Sequence, residues 1–402
     1  MTQHRASGAR PARFRRSAGR TRRTGRTAVL LTALLCAATT AAPGAGAAPG
    51  GKAGPGAPVA RAEVPPGVTA GVAVFDRRTG TFTEELNSSG RFRSASVVKL
   101  LIALDLLWGR APADLTASDR ARLDVMLRSS DDAAAGHFWT AGGQGAVVDR
   151  MVARLGLTDT ARPPATHPGY WGYTALSARD TVRIYRHLLD SATAPVRDFI
   201  LGALRQSTRC GTDGFDQHFG VAGAFDRPWA VKQGWSGFTS GGCTAAGATA
   251  RAASGAAGAS AAAVDLARPA LHTTGVVGAG DRSVVAVLTL HPDGTPYGKA
   301  YTDVGRLTRS LNVPGAVRAQ GTWVGTWGSG VRIRSGATTG STALTTLPAG
   351  AEVLVGCQKR GQQVSVPPYT NDWWAYLPQY GGYMTNIYLS SPGNQLPGVP
   401  VC

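Results

Sequence analysis

Residues 97–108 read VVKLLIALDLLW, a run in which Lys99 and Asp105 are the only charged side chains. A helix on a protein surface keeps its apolar residues to one stripe, recurring every three or four positions. This run is apolar on every face. It predicts a helix enclosed on all sides, so the rest of the fold must wrap around it. Enclosure is costly for Lys99, because desolvation disfavours an ammonium and can lower its pKa by several units. Ser96 stands one helical turn earlier, and residues three apart on a helix share a side. A hydroxyl beside a lysine that has given up its proton is the arrangement of an activated serine nucleophile. For that pair alone, a helix N-cap beside a snorkelling lysine is the plainer alternative.

The flanking segments say what encloses the helix. GVTAGVAVFDRRTGTFTEELN (67–87) predicts two short strands around the turn RRTG. Helical segments then run to about residue 205; SARDTVRIYRHLLD among them opens with Ser177 and Asp180 as a capping pair. After residue 225 strands return in RPWAVKQGW, LHTTGVVG and DRSVVAVLTLHP, the last two joined by the hairpin signal AGD. The low-complexity stretch 244–263 reads as a surface loop, and YGKAYTDVGRLTRSL as a closing helix. Strands, helices and strands again predict an α/β fold of the α+β kind over 66–312: one antiparallel sheet holding both ends, with an inserted helical subdomain. LNVPGAVRAQ supplies a linker at 313–320. From Gly321 the chain turns to short Thr-, Val- and aromatic-rich strands between Gly and Pro, predicting a small all-β C-terminal barrel over 321–402. Its V-R-x-R-S-G, L-P-x-G-x-x-V and W-x-x-x pattern resembles bacterial Src-homology-3-like domains. Trp323, Trp327, Trp373, Trp374, Tyr376, Tyr380 and Tyr383 exceed what so small a core needs. That excess predicts exposed rings and a separately folding wall-attachment module.

The formal charge of +18 is concentrated at one end: nine arginines lie in the first 26 residues, with no acid before Glu63. They precede AVLLTALLCAATTAA and a Pro/Gly/Ala stretch. A basic region, a short apolar run and small residues describe a secretory signal over 1–48, followed by a flexible lead-in at 49–65. Nucleic acid is therefore not an expected partner, and the apolar run is too short to span a bilayer comfortably. Leu35 before Cys36 argues against a lipoprotein anchor. Beyond the signal four cysteines remain, Cys210, Cys243, Cys357 and Cys402. An even number in an exported chain predicts disulfides, and four cysteines allow three pairings. The domain division favours Cys210–Cys243 and Cys357–Cys402. Zinc-ligand spacing and H-E-x-x-H are both absent from the sequence, so no metal or cofactor is expected.

Two more segments bear on Ser96. MLRSSDDAAAGHFW sets Ser130, Asp131 and Asp132 at a helix start, and WAVKQGW sets Lys232, Gln233 and Gly234 at a strand end. The order S-x-x-K, S-D-x, K-x-G resembles the penicillin-recognising serine enzymes, the β-lactamases and D,D-peptidases. The resemblance covers 66–312. It implies Ser96 as nucleophile and Lys99 as its base, Ser130 as proton relay, and Lys232 as positive charge near the substrate carboxylate. It also implies an oxyanion hole from the Ser96 amide and one near Trp235–Gly237. Substrate contacts would come from Asp132, Gln233, Gly234 and Ser236. Three departures matter. Asp132 stands where the family usually has Asn, and Gln233 where it has Thr or Ser, a loss Ser236 could make good. Segment 158–177 has no glutamate to activate a deacylating water, Asp159 being its only acid, which disfavours an efficient β-lactamase.

The expected protein is thus a monomeric, secreted, extracellular or wall-associated serine hydrolase. Its substrate would be a peptidoglycan-type peptide, another small amide or ester, or a β-lactam. The alternative is a non-catalytic cell-wall binding protein that retains the fold.

Overall fold

In the computed structural model, residues 62–244 and 264–402 are described. The expected signal at 1–48, most of the lead-in and the low-complexity segment 245–263 lie outside the described residues. β1 (Thr69–Asp76) and β2 (Thr81–Leu86) form the first hairpin across RRTG. A short β3 (Phe92–Arg93) leads to a 3-10 turn, Ala95–Val98, and the enclosed helix α1 (Lys99–Leu106). The helical layer follows with α2 (Ala117–Arg128), α3 (Asp132–Ala141) and α4 (Gly145–Leu155). Beyond β4 (Ala175–Leu176), which pairs with β3, come α5 (Ala178–Asp190) and α6 (Ala194–Arg205). Ser177 caps α5 by accepting the Asp180 amide at 3.0 Å, as the capping pair predicts. A single turn, α7 (Val221–Ala224), precedes β5 (Trp229–Ser236), β6 (Ala270–Val277) and β7 (Ser283–Leu290). α8 (Tyr297–Ser310) closes this part.

The five long strands form one antiparallel sheet in the order β2-β1-β7-β6-β5, so the first and last strands in sequence meet at β1 and β7. β6 and β7 are buried along their whole length because both faces of the sheet are covered. One face packs on α1–α6 around Leu101, Trp139, Tyr185 and Leu204. The other packs on α7 and α8 around Val221, Phe225 and Leu307. α1 is enclosed as expected, Lys99 to Leu104 all being buried. Asp105, the helix's other charge, meets Arg150 and Arg154 of α4 at 2.5 and 2.9 Å.

The remaining strands are β8 (Thr322–Gly325), β9 (Arg332–Arg334), β10 (Ala343–Thr346), β11 (Glu352–Val355), β12 (Cys357–Val366), β13 (Tyr369–Leu377) and β14 (Gly382–Thr385). They pair as a five-stranded sheet, β10-β9-β14-β13-β12, and a two-stranded one, β11-β8. The expected barrel is corrected to two sheets around a core of Ile333, Val353, Ala375 and Met384. Both favoured disulfides are present, Cys210–Cys243 and Cys357–Cys402.

The C-terminal sheets and the α/β part belong to one compact unit. Residues 313–320, read from the sequence as a linker, are tied to the α/β part at a few points, while Gly315, Val317, Arg318 and Gln320 are exposed. Val313 joins the core on the α8 side, and Arg318 and Ala319 bond back to Arg309, Leu311 and Ala224. Across the seam, Glu352 pairs with Arg306 (3.1 Å) and Arg309 of α8. Arg209 lies between Asp216 at 3.2 Å and the Tyr380 ring, 3.8 Å from its centre, and also donates to the Gln379 carbonyl. Tyr380 donates to Asp216 at 3.1 Å, and the Gln379 amide donates to the Gly223 carbonyl.

Candidate active site

Ser96 sits in the 3-10 turn and Lys99 is the first residue of α1. In a 3-10 turn residues three apart eclipse one another, which stacks the two side chains more directly than the α-helix read from the sequence. Lys99 Nζ donates to Ser96 Oγ at 2.9 Å. Before Ser96, Ala95 takes a φ of +45°, a strained conformation for a residue with a side chain. The turn is held from behind by Ser94, whose amide donates to the Thr174 carbonyl at 2.8 Å.

Ser130 also has positive φ, +56°. The cap of α3 is not Ser130 but Asp131, whose carboxylate accepts the Ala134 amide at 2.7 Å. That leaves the Ser130 hydroxyl to two lysines: Lys232 Nζ lies 2.8 Å away and Lys99 Nζ 3.2 Å. Lys99 donates further to the Ser130 carbonyl and to Asp132 Oδ1, both at 2.6 Å, and sits 4.6 Å from the centre of the Trp171 ring. Both lysines are fully buried. Burial pushes the Lys99 pKa down, against the charge and hydrogen bond of Asp132. Burial, with the neighbouring charge of Lys99, pushes Lys232 down much further. Two buried amines sharing one hydroxyl favour shedding a proton.

Of the residues expected at the site, Ser96, Lys99, Ser130, Asp132 and Lys232 converge. Ser236 lines the cleft with Ser96 and Asp132. Gly234 is pressed against the backbone of the Ser96 turn, where an added Cβ would lie 3.0 Å from the Ser94 carbonyl and 3.2 Å from the Ser96 amide. Gln233 is the exception. Its amide donates to the Phe219 carbonyl at 2.8 Å and accepts from Thr274, fully buried. The expectation that it contacts substrate is corrected, since alternation along β5 sends it to the side opposite Lys232.

Sequence reasoning missed Asp213 and Trp171, which also line the cleft, and named Trp235 only for a backbone amide near it, not for its ring. Trp235 Nε1 donates to Asp213 Oδ2 at 2.8 Å. Asp213 Oδ1 is buried with no hydrogen-bond partner among the described residues. Burial raises the Asp213 pKa, opposed by the Trp235 hydrogen bond and reinforced by the charge of Asp132. The aromatic run YWGY, late in the glutamate-free segment, was the available signal for Trp171. Asp159, that segment's acid, is occupied elsewhere, accepting from Ser177 at 3.0 Å.

No protein-family model matches the chain. Over 175 residues it is 45% identical to "Putative lipoprotein LppW" of Mycobacterium bovis and of Mycobacterium tuberculosis, covering 42% of this chain and 54% of each relative. The chain thus spans about half the length of the curated relatives it matches. Similar solved structures include a class A beta-lactamase from Mycobacterium abscessus (TM-score 0.43, 19% identity, 61% of this chain and 92% of that one). They also include PBP-A (0.43, 15%, 61% and 89%) and the beta-lactamase of Streptomyces albus G (0.40, 18%, 61% and 95%).

Proposed function

We propose that this chain is an exported serine hydrolase working through an acyl-Ser96 intermediate on a peptidoglycan-type peptide or another small amide or ester. The observation that carries this reading is the 2.9 Å contact between Ser96 Oγ and the buried Lys99 amine. In the first step Lys99, neutral, takes the Ser96 proton as Oγ bonds to the substrate carbonyl carbon. The tetrahedral oxyanion faces the Ser96 amide and a second amide near Ser236, two residues that line one cleft. Ser130 then passes a proton to the leaving nitrogen and is resupplied through the lysines beside it. Water hydrolyses the ester and returns the serine. Asp132 and Ser236 contact the substrate.

The two disulfides support action in an oxidising compartment. The LppW relatives carry the word lipoprotein in their name, which supports a cell-envelope or secreted location. Among the described residues no helix is long and apolar enough to cross a membrane. In this reading the C-terminal module holds the enzyme at the wall. Trp327 and Tyr369, 48% and 59% exposed with ring centres 6.0 Å apart, support that role by offering flat apolar faces with polar edges.

One observation favours the alternative of a non-catalytic wall-binding protein: Asp132 stabilises the proton on Lys99, which opposes its use as a base. A fluorescent β-lactam or activated ester decides between them. An intact-mass increment mapped to Ser96 supports the hydrolase. Reversible binding of wall fragments without any adduct supports the binder.

A further inference from the structure

The cleft beside Ser96 has a volume of about 230 Å³. Cavities that enclose a small molecule run from about 300 to 1,000 Å³, so this one takes the reacting group and little more. A second cavity, of about 670 Å³, lies in the seam between the α/β part and the C-terminal module. Asp213, Gly237 and Phe238 line both, so the two spaces adjoin. Any substrate longer than its reacting group has the seam as its next space.

The chemistry of the seam is specific. Among the described residues its lining holds no lysine or arginine, and Asp213 is the one carboxylate. Hydroxyls come from both sides, Thr239 and Ser240 from the α/β part, Ser329 and Thr346 from the module. Gly294 and Gly330 also border it, and a Cβ on either would meet nothing within 4 Å. Bare backbone therefore faces the open space, and glycine is the residue that lets a ligand approach main-chain amides closely. Phe238, Pro296, Leu347 and Pro348 add apolar surface. Such a wall of hydroxyls, bare backbone and apolar side chains, without cations among the described residues, suits a neutral chain that carries its own amide donors and acceptors.

We propose that the seam groove binds the peptide chain of the substrate beyond the bond attacked by Ser96, so the C-terminal module forms one wall of the substrate site. This rests on the acyl-serine reading, which names an amide or ester substrate at the adjoining cleft. The module is then part of what the enzyme recognises as well as what holds it at the wall.

The test uses the full chain carrying Ser96→Ala, with titration calorimetry of three probes. These are a neutral N-acetyl dipeptide amide, the corresponding hexapeptide amide and an N-acetylglucosamine tetrasaccharide. The hexapeptide is expected to bind at least ten-fold more tightly than the dipeptide. Ser329→Trp, which fills the groove from an exposed position on the module side, is expected to remove that gain. Ser240→Trp fills it from the other wall and repeats the test should Ser329→Trp fail to fold by circular dichroism. Equal affinity for both peptides, a gain that survives both tryptophans, or tight binding of the tetrasaccharide alone would overturn the proposal. Acylation of unaltered Ser96 by a small activated ester is measured separately. If it fails while the length-dependent, tryptophan-sensitive binding persists, the hydrolase reading falls and the peptide groove stands.

Discussion

Asp132 Oδ1 lies 2.6 Å from the Lys99 Nζ that also contacts Ser96 Oγ, and the two partners differ sharply in exposure. The lysine side chain is fully buried, whereas that of Asp132 is 58% exposed. The protonation of the buried amine is thus biased by a carboxylate that solvent can reach.

Acylation of Ser96 should rise with pH and level off, with its midpoint below the ordinary lysine value of 10.5, because burial favours the neutral amine. Asp132 acts in the opposite sense, so Asp132→Asn should move the midpoint to lower pH and speed acylation at neutral pH. Each unit of that movement raises the neutral fraction about tenfold on the acid side. The pH–rate profile of a reactive ester measures this. An unmoved midpoint would remove Lys99 as the base.

Ser96→Ala should leave no covalent adduct with any acylating probe. Lys99→Ala should keep the nucleophile but slow acylation by about 10²–10⁴, the usual worth of a general base. Both should retain a native circular dichroism spectrum. Adduct formation at a normal rate in either variant would break the assignment.

Gly234→Ala tests the approach of β5 to the Ser96 turn. The new methyl would meet backbone atoms at 3.0 and 3.2 Å and Val97 Cγ2 at 3.1 Å. A displacement of Ser96 by about 1 Å is enough to cost roughly 10²-fold in rate. Comparing kcat/KM for a short ester reads it, and an unchanged value would mean that the turn yields freely.

Once formed, the acyl-enzyme should persist for many minutes. The segment 158–177 offers no glutamate, and Asp159 is bound to Ser177. Intact-mass spectra taken over time after removing excess β-lactam follow the adduct. Its loss within seconds would require a base elsewhere in the cleft, Asp213 being the first to replace.

Cys357→Ala with Cys402→Ala opens a loop of 45 residues. Removing such a link costs about 2–4 kcal/mol in typical cases, so the urea midpoint should fall measurably. The amide of Cys402 still donates to the Gln358 carbonyl at 2.9 Å, so the terminus should keep its place. Unchanged stability would mean that this backbone contact alone suffices.

The strand, helix and strand order was legible because strands and helices impose different periods on apolar residues. Enclosure of α1 was legible too, since an all-apolar helix has no solvent face. That Ser96, Lys99, Ser130 and Lys232 lie together was legible in their spacing and order. Gln233 was misassigned by treating a motif as a unit; the alternation of β5 separates it from Lys232. The 3-10 turn at Ser96 escaped because 3-10 and α turns share the same apolar pattern. Asp213 was hidden for another reason: the contacts that hold its loop come from residues far along the chain, which no local window contains.

That last point has a consequence in time. The loop from Arg209 to Asp216 is held by Gln379 and Tyr380, which follow it by 164 to 170 positions. A chain delivered from its N-terminus brings out Ser96, Lys99, Ser130 and Lys232 well before those anchors. The Cys210–Cys243 link and the bond from the Thr212 amide to the Ser129 carbonyl hold this wall of the cleft from within the α/β part, but its fastening is complete only when the final sheet has emerged. A polypeptide halted part-way through synthesis would carry Ser96 and Lys99 without the finished pocket around them.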